Sequence, residues 1–108
     1  MIRTSEASDQ SLLINNLRSW LTSKDMYETT RDFAAFELGM SKAQEATNEL
    51  LQAVEDPFEL TLVRYYGAMA LGMIRSKDTL SRLMEVFSLE NQLDMKRVLA
   101  HVILYIAG

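Results

Sequence analysis

The chain has 108 residues, 48% hydrophobic and 24% charged, a balance that predicts one soluble globular domain and excludes disorder over the whole length. It has no cysteine and one histidine, which excludes disulfides, thiolate zinc sites, thiol nucleophiles and any site that needs two histidines of one chain. The net charge is −4, and residues 1–62 carry five basic and eleven acidic residues. No nucleic-acid partner is expected, because neutralising phosphates requires a basic surface.

Apolar residues recur every three or four positions along most of the chain, a spacing typical of amphipathic helices. Cap residues and stop signals divide the pattern into segments. The strongest start signal is Asp56-Pro57-Phe58-Glu59, which combines a capping carboxylate, a proline at the first helical position and a glutamate three residues after the cap. After a flexible N-terminus at residues 1–8, helices are predicted at residues 9–23, 26–39, 42–54, 57–75, 77–88 and 92–106.

An internal repeat predicts how these helices are arranged. Residues 30–40 align with residues 63–73, 33 positions later, and share an arginine, small residues, a leucine, a glycine and a methionine. A weaker copy follows after 32 more positions, with Lys96 at the arginine position and Leu104 at the glycine position. The intervening helices repeat at Leu17, Leu50 and Leu83 and again at Leu21, Val54 and Phe87. A period of this length with two helices per unit predicts an all-α solenoid.

Residues 56–74 resemble a HEAT repeat. The matching features are Asp56-Pro57, Val63-Arg64, Ala68, Ala70-Leu71-Gly72 and Ile74. The short repeat is similar to the HEAT-like repeats of phycobilisome lyase proteins, and the resemblance covers residues 25–106. It implies that residues 9–108 form a HEAT-like α-solenoid of about six antiparallel helices that serves as an interaction scaffold. It also implies that aspartates and arginines tie neighbouring units together, a structural role that falls on Asp25, Arg31, Asp56 and Arg64.

Small residues in the first helix of each unit are expected to allow close helix packing, and Gly39 and Gly72 are expected where the chain turns into the next helix. Met40 and Met73 recur at one repeat position, which favours packing over an adaptable binding surface. Tyr66 aligns with Phe33 and is interpreted in the same way, as a core residue.

No phosphate-binding loop, catalytic triad or metal-ligand spacing is present, so we expect no enzyme activity, no cofactor and no metal. His101 aligns with two apolar residues and is interpreted as a packed or partner-facing histidine. Glu37 occupies a position filled by Ala70 and Val102 in the other copies. Extension of the Glu37 carboxylate towards solvent, or its pairing with a neighbouring arginine, is favoured over a functional carboxylate.

The repeat predicts the order of a second helix, two full pairs and then a first helix alone, at residues 92–106. This last helix carries two apolar stripes, and the predicted order leaves one of them without a covering helix. An exposed apolar patch of that size indicates a partner. The sequence therefore predicts a cytoplasmic adaptor, without a membrane segment, that binds another protein or a second copy of itself through this helix. The predicted contact residues are Val98, His101, Val102, Tyr105 and Ile106. Two alternatives stay open: an acidic chaperone-like protein for a secretion or assembly client, and a nucleic-acid-binding or lyase-subunit HEAT-like protein.

Overall fold

The computed structural model describes the backbone of residues 6–108 and the side chains from residue 8 onward. Six α-helices account for most of this segment, and it contains no β-strand. They are α1 (Glu6–Thr22), α2 (Glu28–Met40), α3 (Thr47–Glu55), α4 (Thr61–Ile74), α5 (Leu80–Leu89) and α6 (Leu93–Ala107). Short 3₁₀ turns at Gln44–Ala46 and Lys77–Thr79 lead into α3 and α5. Helix α1 begins three residues before the predicted start at residue 9, and residues 1–5 of the predicted flexible N-terminus lie outside the described residues.

The six helices form two layers of three. Helices α1, α3 and α5 lie side by side in one layer, and α2, α4 and α6 lie side by side in the other. Each helix of the first layer packs on the helix that follows it in the chain, which gives the pairs α1–α2, α3–α4 and α5–α6. The result is a slab of 50 × 33 × 16 Å. The predicted all-α, HEAT-like solenoid of six antiparallel helices is confirmed.

The pairing differs from the expected order, in which the C-terminal helix lacked a partner from its own unit. Helix α6 packs on both α5 and α4. Among residues 6–108, its neighbour in its own layer is α4. Helix α4 pairs with α3 because Gly67 lets the two helices pack closely. A Cβ at Gly67 would lie 3.2 Å from Val54 Cγ2 and 3.4 Å from the Leu50 carbonyl oxygen.

Gly39 and Gly72 do not form turns, contrary to the prediction. Both lie inside helices, where they allow close approach within the α2–α4–α6 layer. A Cβ at Gly39 would lie 2.6 Å from Ala70 Cα, too close for any residue but glycine. The turns are made instead by Lys42 and Arg75, which adopt left-handed φ angles of 53° and 62° at positions 33 residues apart.

Helix α4 begins at Thr61, four residues after the predicted start at Pro57. The carboxylate of Asp56 accepts a hydrogen bond from the Phe58 amide at 2.9 Å, which closes a turn ahead of the helix. Glu59 lies before the helix, where its carboxylate meets Arg31 (Nη2–Oε2 2.6 Å) and accepts a hydrogen bond from the Leu60 amide at 2.9 Å, so it is not the predicted capping-box acid for Asp56. The sequence from Asp56 to Glu59 matches a capping box, but Glu59 forms an ion pair with Arg31 of the preceding unit instead.

The core lies between the two layers and follows the repeat. Leu50 and Leu83 are fully buried, as predicted for equivalent positions. Leu17, the third member of that set, is only half-buried, because α1 lies at the edge of its layer and has a same-layer neighbour on one side only.

Candidate protein-binding face

A buried arginine ties the first helical pair to the second. Arg31 Nε donates to the Leu21 carbonyl oxygen at 3.0 Å, and its guanidinium donates to both carboxylate oxygens of Glu59 at 2.9 and 2.6 Å. Lys24 Nζ binds the same carboxylate at 2.6 Å. Burial alone would raise the pKa of Glu59, but hydrogen bonds from Arg31, Lys24 and the Leu60 amide outweigh it and lower the pKa to about 2.

The second tie repeats this geometry one unit later. Arg64 Nε donates to the Val54 carbonyl oxygen at 3.1 Å, and Arg64 Nη2 binds Glu90 Oε1 at 2.8 Å. Burial opposes ionisation of Glu90, yet its hydrogen bonds with Arg64 keep its pKa below the ordinary value. At the third equivalent position, Lys96 Nζ lies 4.4 Å from the centre of the Phe87 ring. The basic residue of each following helix thus contacts one of the positions predicted as equivalent: the carbonyl oxygens of Leu21 and Val54, and the ring of Phe87.

The acids of these ties are not the predicted ones. Glu59 and Glu90, in the turns that precede α4 and α6, meet the arginines in place of Asp25 and Asp56. Asp25 is exposed. Asp56 is held in its own turn and reaches only Lys24, with Nζ–Oδ2 at 4.0 Å. The longer side chains of Glu59 and Glu90 reach the arginines of the preceding unit, whereas the Asp56 carboxylate already accepts the hydrogen bond from the Phe58 amide.

The outward side of the α2–α4–α6 layer is apolar. On α4 the outward residues are Leu62, Tyr66, Met69 and Met73, spaced by four, three and four positions as on one helix face. The only charged residue of α4, Arg64, is buried on the opposite side. We define the α2–α4–α6 face by this stripe and its neighbours on α2 and α6: Phe36, Met40, Leu62, Tyr66, Met69, Met73, Val98, His101 and Tyr105.

This face is continuous across the three helices. The rings of Phe36 on α2 and Tyr66 on α4 meet edge to face, with centroids 6.2 Å apart. Between α4 and α6 lies an open groove of about 260 Å³. Its lining residues are Lys42, Met69, Gly72, Met73, His101, Val102 and Tyr105.

The α1–α3–α5 layer is different in character, because ion pairs link its neighbouring helices. Arg18 Nη2 binds Glu49 Oε2 at 2.8 Å between α1 and α3. Arg82 Nη2 binds Glu55 Oε1 at 2.6 Å between α5 and α3. Ion pairs therefore join neighbouring helices in one layer of the slab, while the outward side of the other layer presents aromatic and methionine side chains.

Some of the predicted contact residues of α6 are accessible on the α2–α4–α6 face, and others are buried inside the chain. His101 and Tyr105 are exposed on the α2–α4–α6 face, and Val98 is half-buried beside them. Val102 and Ile106, at 2% and 0% exposure, are buried inside the chain, so the prediction that they contact a partner is wrong. Val102 packs on Gly72 of α4, where a Cβ would lie 3.5 Å from its methyl carbons.

The exposure of the methionines was missed by sequence reasoning. The repetition of Met40 and Met73 favours packing, yet Met40 is 59% exposed and Met73 is only half-buried, and Met69 on the same face is 39% exposed. Tyr66 is half-buried and Phe33 exposed, so neither is a closed core residue. Repetition identifies equivalent positions, but in a solenoid a surface position repeats as regularly as a core position. The usable signal was the run from Leu62 to Met73 with only one charged residue.

Glu37 lies at the other edge of the slab. It is half-buried, and no arginine among the described residues forms an ion pair with it, so the interpretation that it pairs with an arginine is wrong. It lines a groove of about 720 Å³ between α1 and α2, together with Leu17, Trp20 and Phe33. In the other two units the equivalent residues Ala70 and Val102 pack against a preceding helix of the same layer, and at this edge the structure describes no such helix.

A family model for HEAT repeats matches residues 14–103 of the chain. Comparisons with curated proteins and with solved structures give no match. Within residues 6–108, no helix is both long enough and apolar enough to span a membrane; the cytoplasmic location stays a prediction. The family match includes all three helical pairs, and the ties between them repeat with the same period as the sequence. The chain belongs to the HEAT repeat family.

Proposed function

We propose that the protein is a non-catalytic adaptor or scaffold that binds another protein through the α2–α4–α6 face, including the outward side of α6. The observation that carries the proposal is the stripe of Leu62, Tyr66, Met69 and Met73, which spans α4 without an exposed charge. HEAT repeats commonly mediate protein–protein interactions.

The composition of the face supports this role. Aromatic residues and methionine are enriched in the central parts of protein interfaces, and methionine adapts its shape to different partners. Complete burial of a large apolar side chain contributes about 1.5–3 kcal/mol, and the half-exposed side chains of this face would contribute a part of that each. Several such anchors acting together are needed to exceed the entropy cost of association.

The experiment compares capture of binding proteins from the source cells by three forms of the chain. Met69→Glu places a charge in the middle of the face. Met84→Glu makes the same change at a methionine of α5 that is 52% exposed, in the other layer, and serves as the matched control. Equal thermal unfolding of the three forms establishes that any difference comes from the surface.

We expect a protein that is retained by the wild type and by the Met84→Glu variant and lost from the Met69→Glu variant. The same proteins retained equally by all three forms would contradict the proposal, as would a loss confined to the Met84→Glu variant.

A further inference from the structure

The groove between α4 and α6 is basic, although the chain as a whole has a net charge of −4. Lys42 and His101 are the ionisable residues among its lining, apart from the phenol of Tyr105, and no carboxylate of residues 8–108 lines it. The guanidinium of Arg75 lies 4.9 Å from the centre of the Tyr105 ring, which places a further cation at the rim. An apolar groove bordered by cations is complementary to a segment that carries both apolar and acidic side chains.

The backbone conformation at Lys42 and Arg75 also supports a binding role for their side chains. Lys42 and Arg75 occupy equivalent turns with φ angles of 53° and 62°, a conformation that glycine adopts without steric cost. Backbone hydrogen bonds close the two turns: the Lys42 amide donates to the Gly39 carbonyl oxygen at 2.9 Å, and the Arg75 amide donates to the Leu71 carbonyl oxygen at 2.8 Å. The side chain of Lys42 adds only an exposed contact of 3.4 Å from Nζ to the Met73 carbonyl oxygen. A cation at a helix C-terminus interacts favourably with the helix dipole, which offsets part of the strain. A role in binding a partner explains why both strained positions carry a long cationic side chain instead of glycine.

We propose that this groove binds an acidic segment of the partner protein. One large apolar side chain of the segment enters between Met69, Met73 and Tyr105, and neighbouring carboxylates pair with Lys42 and Arg75. The groove, at about 260 Å³, is slightly smaller than the roughly 300–1,000 Å³ of small-molecule sites and suits a single side chain. This inference rests on the proposed function, since it names the chemistry of the partner that the α2–α4–α6 face binds.

The test selects short random peptides from a display library against the wild-type chain. The enriched peptides are expected to carry aspartate or glutamate beside a leucine, methionine, phenylalanine or tryptophan. Their affinity should fall as salt is added, because exposed charge pairs are screened. Binding should weaken by about tenfold or more in the Lys42→Glu/Arg75→Glu double variant, in which two favourable contacts become repulsive. The matched control is Lys77→Glu/Arg97→Glu, which reverses two exposed cations away from the groove and should leave the affinity unchanged.

Each of the other outcomes overturns the inference, and the Met69→Glu variant shows whether the proposed function falls with it. Enriched peptides that are neutral or basic, or that ignore the double charge reversal but are lost from Met69→Glu, overturn the acidic partner and leave the α2–α4–α6 face in place. Peptides that bind Met69→Glu normally, or no enrichment at all, count against both. Sedimentation that shows a dimer of the wild type, dissociated by Met69→Glu, would assign the groove to a second copy of the chain.

Discussion

Glu59 is nearly fully buried, and its charge is held by Arg31, Lys24 and the Leu60 amide. Its pKa falls from 4.5 to about 2 on folding, so the folded state binds the Glu59 proton more weakly than the unfolded state. The corresponding stabilisation is fully present above about pH 4.5 and is lost as the pH falls toward 2. Its size is about 3 kcal/mol, from the difference between the two pKa values.

The first prediction is that urea unfolding midpoints of the wild type decrease across this acidic range, and that Glu59→Gln makes this decrease clearly smaller, while Glu90, whose pKa is also lowered, still contributes to it. At neutral pH the variant should lose about 3–5 kcal/mol of unfolding free energy, because Arg31 is left charged and buried without its counterion. Asp94→Asn is the control, since Asp94 and Arg97 form an exposed pair 3.8 Å apart that contributes little. An unchanged pH profile in Glu59→Gln would show that another carboxyl is responsible.

A second prediction concerns the strain at Lys42. A non-glycine residue in the left-handed region costs about 1–2 kcal/mol, partly balanced by the smaller entropy of its unfolded state. Lys42→Gly should therefore raise the free energy of unfolding by up to about 1 kcal/mol while it weakens binding of the selected acidic peptides. In the same denaturant melts, Lys77→Gly in the 3₁₀ turn should be neutral or destabilising, because Lys77 does not have a positive φ. A less stable Lys42→Gly chain would show that the lysine is required for the fold.

Helices α2, α4 and α6 approach one another through glycines at equivalent positions, but the two contacts are not equally tight. At Gly39 an added Cβ meets the backbone of Ala70 at 2.6 Å, and at Gly72 it meets Val102 side-chain carbons at 3.5 Å. Backbone cannot yield as a side chain can. The same substitution at the two sites should thus have opposite signs.

The third prediction is that Gly39→Ala destabilises the chain by about 1–3 kcal/mol through overpacking. Gly72→Ala should be neutral or stabilising by up to about 1 kcal/mol, since alanine favours the helix and makes an ordinary contact there. Chemical denaturation of the two variants gives the comparison directly. Equal losses at both sites would mean that the layer spacing is not set at Gly39.

The core leucines test the repeat register. Leu50→Ala and Leu83→Ala should each cost about 2–5 kcal/mol, because both side chains are fully buried. Leu17→Ala should cost clearly less, since its side chain is half-buried at the slab edge. This fourth prediction is measured by urea melts of the three variants. A loss at Leu17 equal to that at Leu50 would indicate that the edge of α1 is covered in solution.

The sequence predicted these core positions because repetition carries the equivalence from one unit to the next. The prediction of burial failed at Leu17, where the unit lies at the edge of the slab. The prediction of a cap failed at Glu59, where a local signal competes with a contact between units. Glu59 fits a capping box at the start of α4, but the buried guanidinium of Arg31 holds it more strongly than a helix N-terminus would. Competition between a local cap and a contact across units cannot be resolved from spacing alone.

At the scale of the whole molecule, the alignment of the third unit with the second identified equivalent positions correctly, but the interface predicted from it was partly wrong. Val102 aligns with Ala70 and Ile106 aligns with Ile74, and all four residues are buried. Assigning these two residues to an interface followed from pairing the helices in the wrong order. The outward positions of α6, Val98, His101 and Tyr105, were in the predicted set and align with Tyr66, Met69 and Met73 of α4. The sequence did not reveal that these α4 residues lie on the same outward face instead of in the core.

The three helical pairs form a one-dimensional stack in which the outer pairs pack mainly on the middle pair. Helix α4 is bordered by α2, α3 and α6, whereas α1 has exposed leucines at positions 12 and 13. Stability in such a stack is a sum over units and the interfaces between them, so local opening is expected to begin at its ends. The buried ties of Arg31 with Glu59 and of Arg64 with Glu90 each cross one of the two interfaces.

The last prediction is that native-state amide exchange is slowest in α3 and α4 and faster in α1 and α6. Glu59→Gln should speed exchange in α1 and α2 more than in α5 and α6, because it breaks the tie between the first and second pairs. Glu90→Gln, the matched variant at the other interface, should produce the reverse pattern. Mass-spectrometric exchange under conditions where both variants stay folded separates the two cases. If both variants instead speed exchange uniformly over all six helices, the chain opens as one cooperative unit and the ties do not divide it.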